Sequence, residues 1–508
     1  MKANSIRFIT GLLTSVIGAT ALAQQPPSAA PAATPASAGL VNDYLRKENS
    51  AFTKWDFGGS VRARYEVKDG YGIQGVPGSL DFRDHGADVD NEYFLEKIRF
   101  RGGYTDKWWS ALVEGESSRA QSDQRFAYAN NPFVPGTVTK QGDGPEADSI
   151  ELHQAIIAVG NHKEFPVSLK VGRMEMSYGD ERLIGAVGWN NIGRTFDAAK
   201  GRWQNEWFGV DVFVSRPVIP QNGVFDQPND YDFFSGFYAS SLKVPKNIFD
   251  VYFLARNSSP QAAAAVPSPQ FPQPSARDIY TIGFRLKSKP GEFGPWDYAL
   301  ESAYQFGNFV DKRPGLLTPT KRLDQSAYMV VAQGGYTFSD LWATPRLGLE
   351  YAFSSGDSDP FDDKHETLDN LFPTNHKFYG YMDFVSLENI HDIRATLTLK
   401  PTTRLTLVVE AHGFWLADTH DSFYNVGGVA RGGTAPMPGT GYGVNPSYSS
   451  FVGTEIDVVA GYAVTRCAQV EVGYGHFFAA DYVQQSLSNL NFGSQDANFV
   501  YGQFTLNF

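Results

Sequence analysis

The sequence predicts an all-β chain: a single transmembrane antiparallel β-barrel of about 18 strands, with short periplasmic turns on one rim and long extracellular loops on the other. Three observations lead there. From Lys54 onward, stretches of about 10–14 residues alternate apolar with polar or small side chains, as strands wetted on one face do. The connectors between these stretches are alternately short and long. The final stretch is amphipathic and closes on an aromatic residue, Phe508.

Composition excludes several other classes. The 508 residues carry 43 Lys+Arg against 55 Asp+Glu, a formal net charge of −12, which argues against a general nucleic-acid binder. Aromatics at 14% argue against disorder, and the single Cys467 cannot build a disulfide scaffold. Past the N-terminus no apolar run reaches the roughly 18 residues of a spanning helix. A barrel needs no such run, because its strands show lipid only at every second residue.

At the N-terminus, Lys2 and Arg7 precede the uncharged stretch 8–20, and Ala21-Leu22-Ala23 then offers an A-x-A cleavage site. This is the pattern of a secretory signal peptide over 1–23. Residues 24–49 are expected as a flexible Ala/Pro-rich leader, and 50–508 as the barrel. In the first strand Trp55, Phe57, Val61 and Tyr65 share one face, and Asp56, Ser60, Arg62, Arg64 and Glu66 the other. The second strand falls out of phase near Leu95-Glu96-Lys97, where a bulge or a misread register would flip faces. Alternation returns at Tyr280/Ile282/Phe284/Leu286, at Leu405/Leu407/Val409/Ala411 and in the last strand at Val500/Phe504/Leu506/Phe508. Brief connectors such as Thr105-Asp106-Lys107, Gln204-Asn205 and Thr465-Arg466 alternate with long ones near 69–90, 120–148, 258–276, 354–388 and 417–449. Soluble sandwiches have no reason to sort their loops in this way.

The apolar faces must point outward, since side chains cannot fill a lumen of this width. Trp55, Trp108, Trp109, Trp203, Trp207, Trp296, Trp342 and Trp415 lie near strand ends, where aromatic girdles form. The lumen then receives Arg62, Arg64, Lys97, Arg99 and Arg101 from two adjacent strands. Lys170, Lys200, Arg202, Arg285, Arg346, Arg394 and Arg404 join them around the wall. Guanidinium forks match carboxylates, and rings of Arg and Lys favour anions. Glu66, Glu114, Glu116, Glu151, Glu301, Glu350, Glu410, Glu455 and Glu471 share that face, so the lumen is mixed in sign.

Two stretches carry a family resemblance. Gly172-Arg173-Met174-Glu175-Met176-Ser177-Tyr178-Gly179-Asp180-Glu181-Arg182-Leu183-Ile184-Gly185, running on to Trp189-Asn190-Asn191-Ile192-Gly193-Arg194-Thr195-Phe196-Asp197, closely resembles the central motif of the alginate-export family of outer-membrane porins. Phe372-Pro373-Thr374-Asn375-His376-Lys377-Phe378-Tyr379-Gly380-Tyr381-Met382-Asp383 is a second match. The resemblance implies an eighteen-stranded barrel that passes an anionic polyuronate such as alginate outward through a cation-lined pore. It also implies that Arg173, Asp180, Arg182, Arg194 and Asp197 lie in or beside a loop folding into that pore. Arg182 with Asp180, or Arg194 with Asp197, could equally pin the loop by ion pairs.

The expected partners are an anionic polysaccharide or small anionic solute, outer-membrane lipid and lipopolysaccharide, and periplasmic export machinery. Uptake of small organic acids or oligosaccharides is the alternative, and a surface enzyme or adhesin a further one. No cofactor and no metal ligands are read from the sequence. The acidic stretch Asp357-Ser358-Asp359-Pro360-Phe361-Asp362-Asp363 lacks the glycine and distal glutamate of an EF-hand loop. His365, His376 and His391 lack the spacing of a helical zinc site. His412 and His420 stand near Asp418 and Asp421, but no nucleophile motif accompanies them, so no catalytic site is expected.

Overall fold

In the computed structural model, which describes residues 39–73, 80–125, 144–241, 243–259, 276–310, 322–431, 442–488 and 491–508, the alternating stretches form strands that close on themselves. In chain order they are β1 (Trp55–Asp69), β2 (Asp90–Thr105), β3 (Trp109–Gln121), β4 (Asp148–Val159), β5 (Val167–Met174), β6 (Phe196–Gln204), β7 (Phe208–Ile219), β8 (Asp232–Ser241) and β9 (Asn247–Ser258). The second half holds β10 (Arg277–Ser288), β11 (Trp296–Val310), β12 (Arg322–Thr337), β13 (Arg346–Ser354), β14 (Ile390–Leu399), β15 (Leu405–Leu416), β16 (Phe451–Ala463), β17 (Ala468–Ala479) and β18 (Ala497–Asn507). Each pairs antiparallel with its neighbours, and β18 pairs with β1, which gives a closed barrel of 18 strands. Closure leaves no unpaired edge in the hydrocarbon, where an unsatisfied backbone group is costly. The seam ends on Phe508, which exchanges backbone hydrogen bonds with Gly59, each 3.0 Å.

The short connectors (106–108, 205–207, 464–467) and both described chain ends lie on one rim. The long ones (175–195, 355–389, 417–450) lie on the other. Outward positions carry exposed apolar side chains, among them Phe100, Val113, Ile157, Leu169, Val212, Ile282, Leu349 and Val472. Trp55, Trp108, Trp109, Trp203, Trp207, Trp296 and Trp342 are all exposed at the short-turn rim. Of the girdle tryptophans expected from the sequence, Trp415 is the exception and ends β15 at the opposite rim.

Two expectations need correction. The β1–β2 register runs unbroken from Trp55↔Tyr104 to Asp69↔Asp90, so no bulge interrupts Leu95-Glu96-Lys97. Leu95 breaks the polar pattern because it faces inward, buried with Tyr93, Ala120 and Ala147 in a small apolar cluster. The irregularities fall instead between β3 and β4, at Glu114/Gly115 and Glu116/Ser118, and between β15 and β16. Within the expected leader, Leu40–Glu48 forms a helix, α1. The Ala/Pro-rich composition stops at Gly39, and the next residues can pair with the barrel. Asn42 donates to Asp56 at 2.6 Å and accepts from the Phe57 backbone at 2.7 Å, while Asp43 pairs with Arg466 at 2.5 Å. The signal segment 1–23 lies outside the described residues.

Inward side chains alone do not fill the interior. The segments 175–195 and 355–389 fold into it and bring their own core. Met176, Leu183, Ile184, Phe372, Phe378, Tyr379 and Phe384 pack with inward wall residues such as Phe213, Phe234 and Phe414.

Candidate functional site in the lumen

Ahead of the infolded segment 175–195, β5 passes through Gly172. Its φ of +129° is one that side-chain-bearing residues avoid, and there β5 changes face. Lys170, directly opposite Lys200, and Arg173 can thus both face inward. The chain then leaves the wall and crosses the lumen. Asp180 accepts from Arg285 and Lys287 on β10, both at 2.7 Å. Arg182 donates to Glu350 on β13 at 2.6 Å and to the Tyr379 hydroxyl at 3.0 Å. Returning towards β1 and β2, the segment is held by its own carbonyls. Arg62 donates to Gly188 O at 2.7 Å and Asn190 O at 3.0 Å, Arg64 to Trp189 O at 2.8 Å, and Lys97 to Asn190 O at 2.9 Å.

The second infolded segment lies alongside the first. Ile184 and Phe372 form a parallel bridge, with Gly185 N donating to Phe372 O at 2.8 Å and Phe372 N to Leu183 O at 3.0 Å. Arg194 donates to Gly185 O at 3.2 Å and Pro373 O at 2.8 Å. The Trp189 ring stacks on His376 with centroids 3.9 Å apart, and the Arg64 guanidinium sits 3.8 Å above the same indole. The two stretches singled out by resemblance therefore touch each other.

The predicted ion pairs within the motif do not form. Asp180 and Arg182 reach different strands, because Glu181 between them takes a left-handed φ of +66° and turns the chain, and Arg194 bonds carbonyls rather than Asp197, which lies on β6. Asp197 instead pairs with Arg173 at 2.8 Å, and Arg173 also donates to Glu151 at 2.7 Å. Burial pushes the Asp180 carboxyl up, but the Arg285 and Lys287 charges overcome it and hold the group well below the usual carboxylate range.

The remaining predicted cations are spread around the wall. Arg99 pairs with Glu116 and, at 3.0 Å, with Glu175. Arg101 pairs with Asp56 at 3.2 Å, Arg202 with Asp211 at 2.6 Å and Arg346 with Asp297 at 2.5 Å. Arg394 shares Glu350 at 2.9 Å with Arg182. Arg285 adds Asp250 at 2.7 Å. Arg404 stands at the β14–β15 turn without an ion pair among the described residues. Arg62, Arg64 and Lys97 are buried under the infolded segment, whereas Arg101 and Arg346 keep 24% and 31% of their side chains exposed.

The sequence reading missed several residues. Asn191, fully buried, donates to the carbonyls of Glu96, Arg119 and Glu146 and accepts from Arg62 at 3.3 Å. Glu175 binds His153 at 2.7 Å as well as Arg99. Although burial opposes it, these partners bring its carboxyl down to about 2. Asn-Asn after a tryptophan was the only available signal. The histidines are dispersed. His365 bonds Gln325, His391 bonds Tyr351, His412 is buried against Asp392 and His420 is exposed beside Asp418. In the acidic loop, Asp359 and Asp362 accept from the backbone of Phe361 and Lys364, as turn caps do.

Residues 53–490 match the model of the family described as alginate export. No curated protein matches the chain in sequence. Among solved structures, Acinetobacter baumannii OccAB3 is similar at TM-score 0.54 and 9% identity, covering 89% of this chain and 100% of its own. Pseudomonas aeruginosa OpdK with vanillate gives 0.53 at 10% identity, covering 89% and 98%. Pseudomonas aeruginosa OccK2 (OpdF) in complex with glucuronate gives 0.52 at 10% identity, with the same coverage. At these identities the likeness establishes the fold, that of a channel-forming barrel of the bacterial outer membrane. With a family match over most of its length, on a barrel whose two infolded segments meet in the lumen, the chain belongs to the alginate-export family of outer-membrane porins.

Proposed function

We propose that the channel conducts an anionic substrate, a polyuronate such as alginate, from the periplasm outward. The observation that carries this reading is a set of inward cations on the short-turn half of the wall: Arg101, Lys170, Lys200, Arg202, Arg346 and Arg404. Lys170 and Lys200 stand directly opposite on paired strands, an arrangement that destabilises a sheet unless an anion offsets it. Asp211 partly does so, at 3.4 Å from Lys200, and a passing carboxylate would do so further. Low-dielectric walls concentrate such a field. Outer-membrane lipid, lipopolysaccharide and periplasmic polymer-supplying machinery are the partners this role requires.

Uptake of small organic acids or oligosaccharides is the second reading. It is favoured by barrels of the same fold that carry vanillate and glucuronate in their structures. Single-channel recording in planar bilayers separates the two. A polyuronate channel is blocked by oligouronates in a length-dependent way. Block by vanillate-sized acids with oligouronates inert favours uptake, and current unchanged by either class removes support for both.

A further inference from the structure

Three acids gather on the long-loop side of the lumen. Asp148 opens β4, Glu151 follows on the same strand, and Asp226 lies in the 220–231 loop between β7 and β8. All three are buried, and one oxygen of each lies within 4.8 Å of the others, the only such group of three or more acid, His or Cys side chains among the described residues. Among the described residues, Arg173 is the one cation bonded to the group, and it is shared with Asp197. Glu151 Oε1 accepts from Arg173, and its Oε2 accepts from the Asp226 backbone at 3.2 Å. Asp226 Oδ1 accepts from Gln221 N at 2.7 Å. Asp148, only 1% exposed, accepts from no N–H or hydroxyl donor, and its carboxyl lies within hydrogen-bond reach of the Asp226 carboxyl.

An ionised carboxylate buried without donors is costly unless protonated or paired. Here three carboxylates share one guanidinium, and the candidate ligand atoms are all carboxylate oxygens. From this we infer that Asp148, Glu151 and Asp226 bind a calcium ion that fastens the 220–231 loop to the start of β4. Oxygen donors without imidazole or thiolate select a hard cation. A carboxylate with both oxygens open suits the bidentate, irregular coordination of Ca²⁺ better than the near-octahedral shell of Mg²⁺. The site lies at the long-loop end of β4. The Ser149 backbone already donates to Asn222 at 3.2 Å, so the loop is seated on the strand where the ion would hold it. The site is independent of the identity of the cargo.

The test uses the full chain refolded in detergent without lipopolysaccharide, with CaCl₂ titrated by calorimetry and melting followed with and without a chelator. The wild type is expected to bind one Ca²⁺ and to melt lower when chelated. Asp148→Asn and Asp226→Asn are expected to weaken binding by about tenfold or more and to melt alike with and without chelator. Because each substitution removes like-charge repulsion, both variants should fold, which heat-modifiable electrophoretic mobility verifies independently. An Asp359→Asn/Asp362→Asn control should retain the response. No Ca²⁺ binding by the wild type would overturn the assignment, as would full binding by both single variants or a response to Mg²⁺ alone. A proton-sharing cluster would show the first of these outcomes.

Discussion

Arg182, on the segment that crosses the lumen, donates to Glu350 on the barrel wall at 2.6 Å, and both side chains are almost wholly buried. Arg394 uses the same carboxylate at 2.9 Å, so one acid serves two guanidinium groups.

The sharing ranks two substitutions. Arg182→Met leaves Glu350 paired with Arg394. Glu350→Gln leaves the buried Arg182 without a carboxylate, held by the Tyr379 hydroxyl and the face of Phe378 at 4.0 Å, and Arg394 with Glu410 at 3.6 Å. Urea unfolding from lipid vesicles is expected to show Glu350→Gln as the worse variant, by about 3–5 kcal/mol relative to wild type, the cost of orphaning a buried charge. Equal losses would mean that Arg394 does not share the load.

Trp189 is gripped from both sides, by Arg64 and by His376. Trp189→Ala removes the cation–π contact and the stack, a loss of about 1–2 kcal/mol for partly desolvated contacts. With the end of the crossing loosened, single-channel current should become noisier and its mean larger. An unchanged current trace at the same loss of stability would place the Trp189 region away from the conducting path.

Charge reversal should separate two classes of arginine. Arg101→Glu or Arg346→Glu, at the half-exposed end, is expected to lower anion preference by about twofold or more in reversal-potential measurements. Arg62→Gln or Arg64→Gln, beneath the infolded segment, should lower stability and leave selectivity near its wild-type value until the segment detaches.

Glu388, in the loop before β14, supplies a pH test. Burial, with the nearby Asp369 charge adding to it, pushes its carboxyl up to about 8, against donors at Asn370 and Ser386 and the more distant Arg277. The folded state then holds a proton that the unfolded chain releases near pH 4.3, so stability falls as pH rises from about 4.5 to 8, by up to roughly 1.4 kcal/mol per unit. Melting curves across that range should show the decline, and Glu388→Gln should flatten it.

The barrel was legible because membrane strands must repeat every second residue and because one rim carries the loops. Leu95 was misread because an inward apolar residue looks like a phase error when only lipid is expected to meet leucine. The positions of the lumen arginines were legible as well, but their partners were not. Asn190 and Trp189 receive Lys97 and Arg64 through carbonyl oxygens, which every residue possesses and no side-chain pattern records. Asp148 and Asp226 escaped notice for a different reason. They lie 78 positions apart and meet only because β4 begins on the rim that carries the loop after β7.

A hoop of strands without internal struts ovalises when the surrounding bilayer squeezes it. The paired backbone of 183–185 and 372–374 spans this hoop like a chord, tied to β10 and β13 on one side and to β1 and β2 on the other. Lateral pressure that would flatten the cross-section must therefore compress this chord. The chord braces the circumference from within, so the section of the barrel is set by its ties as well as by its strand count.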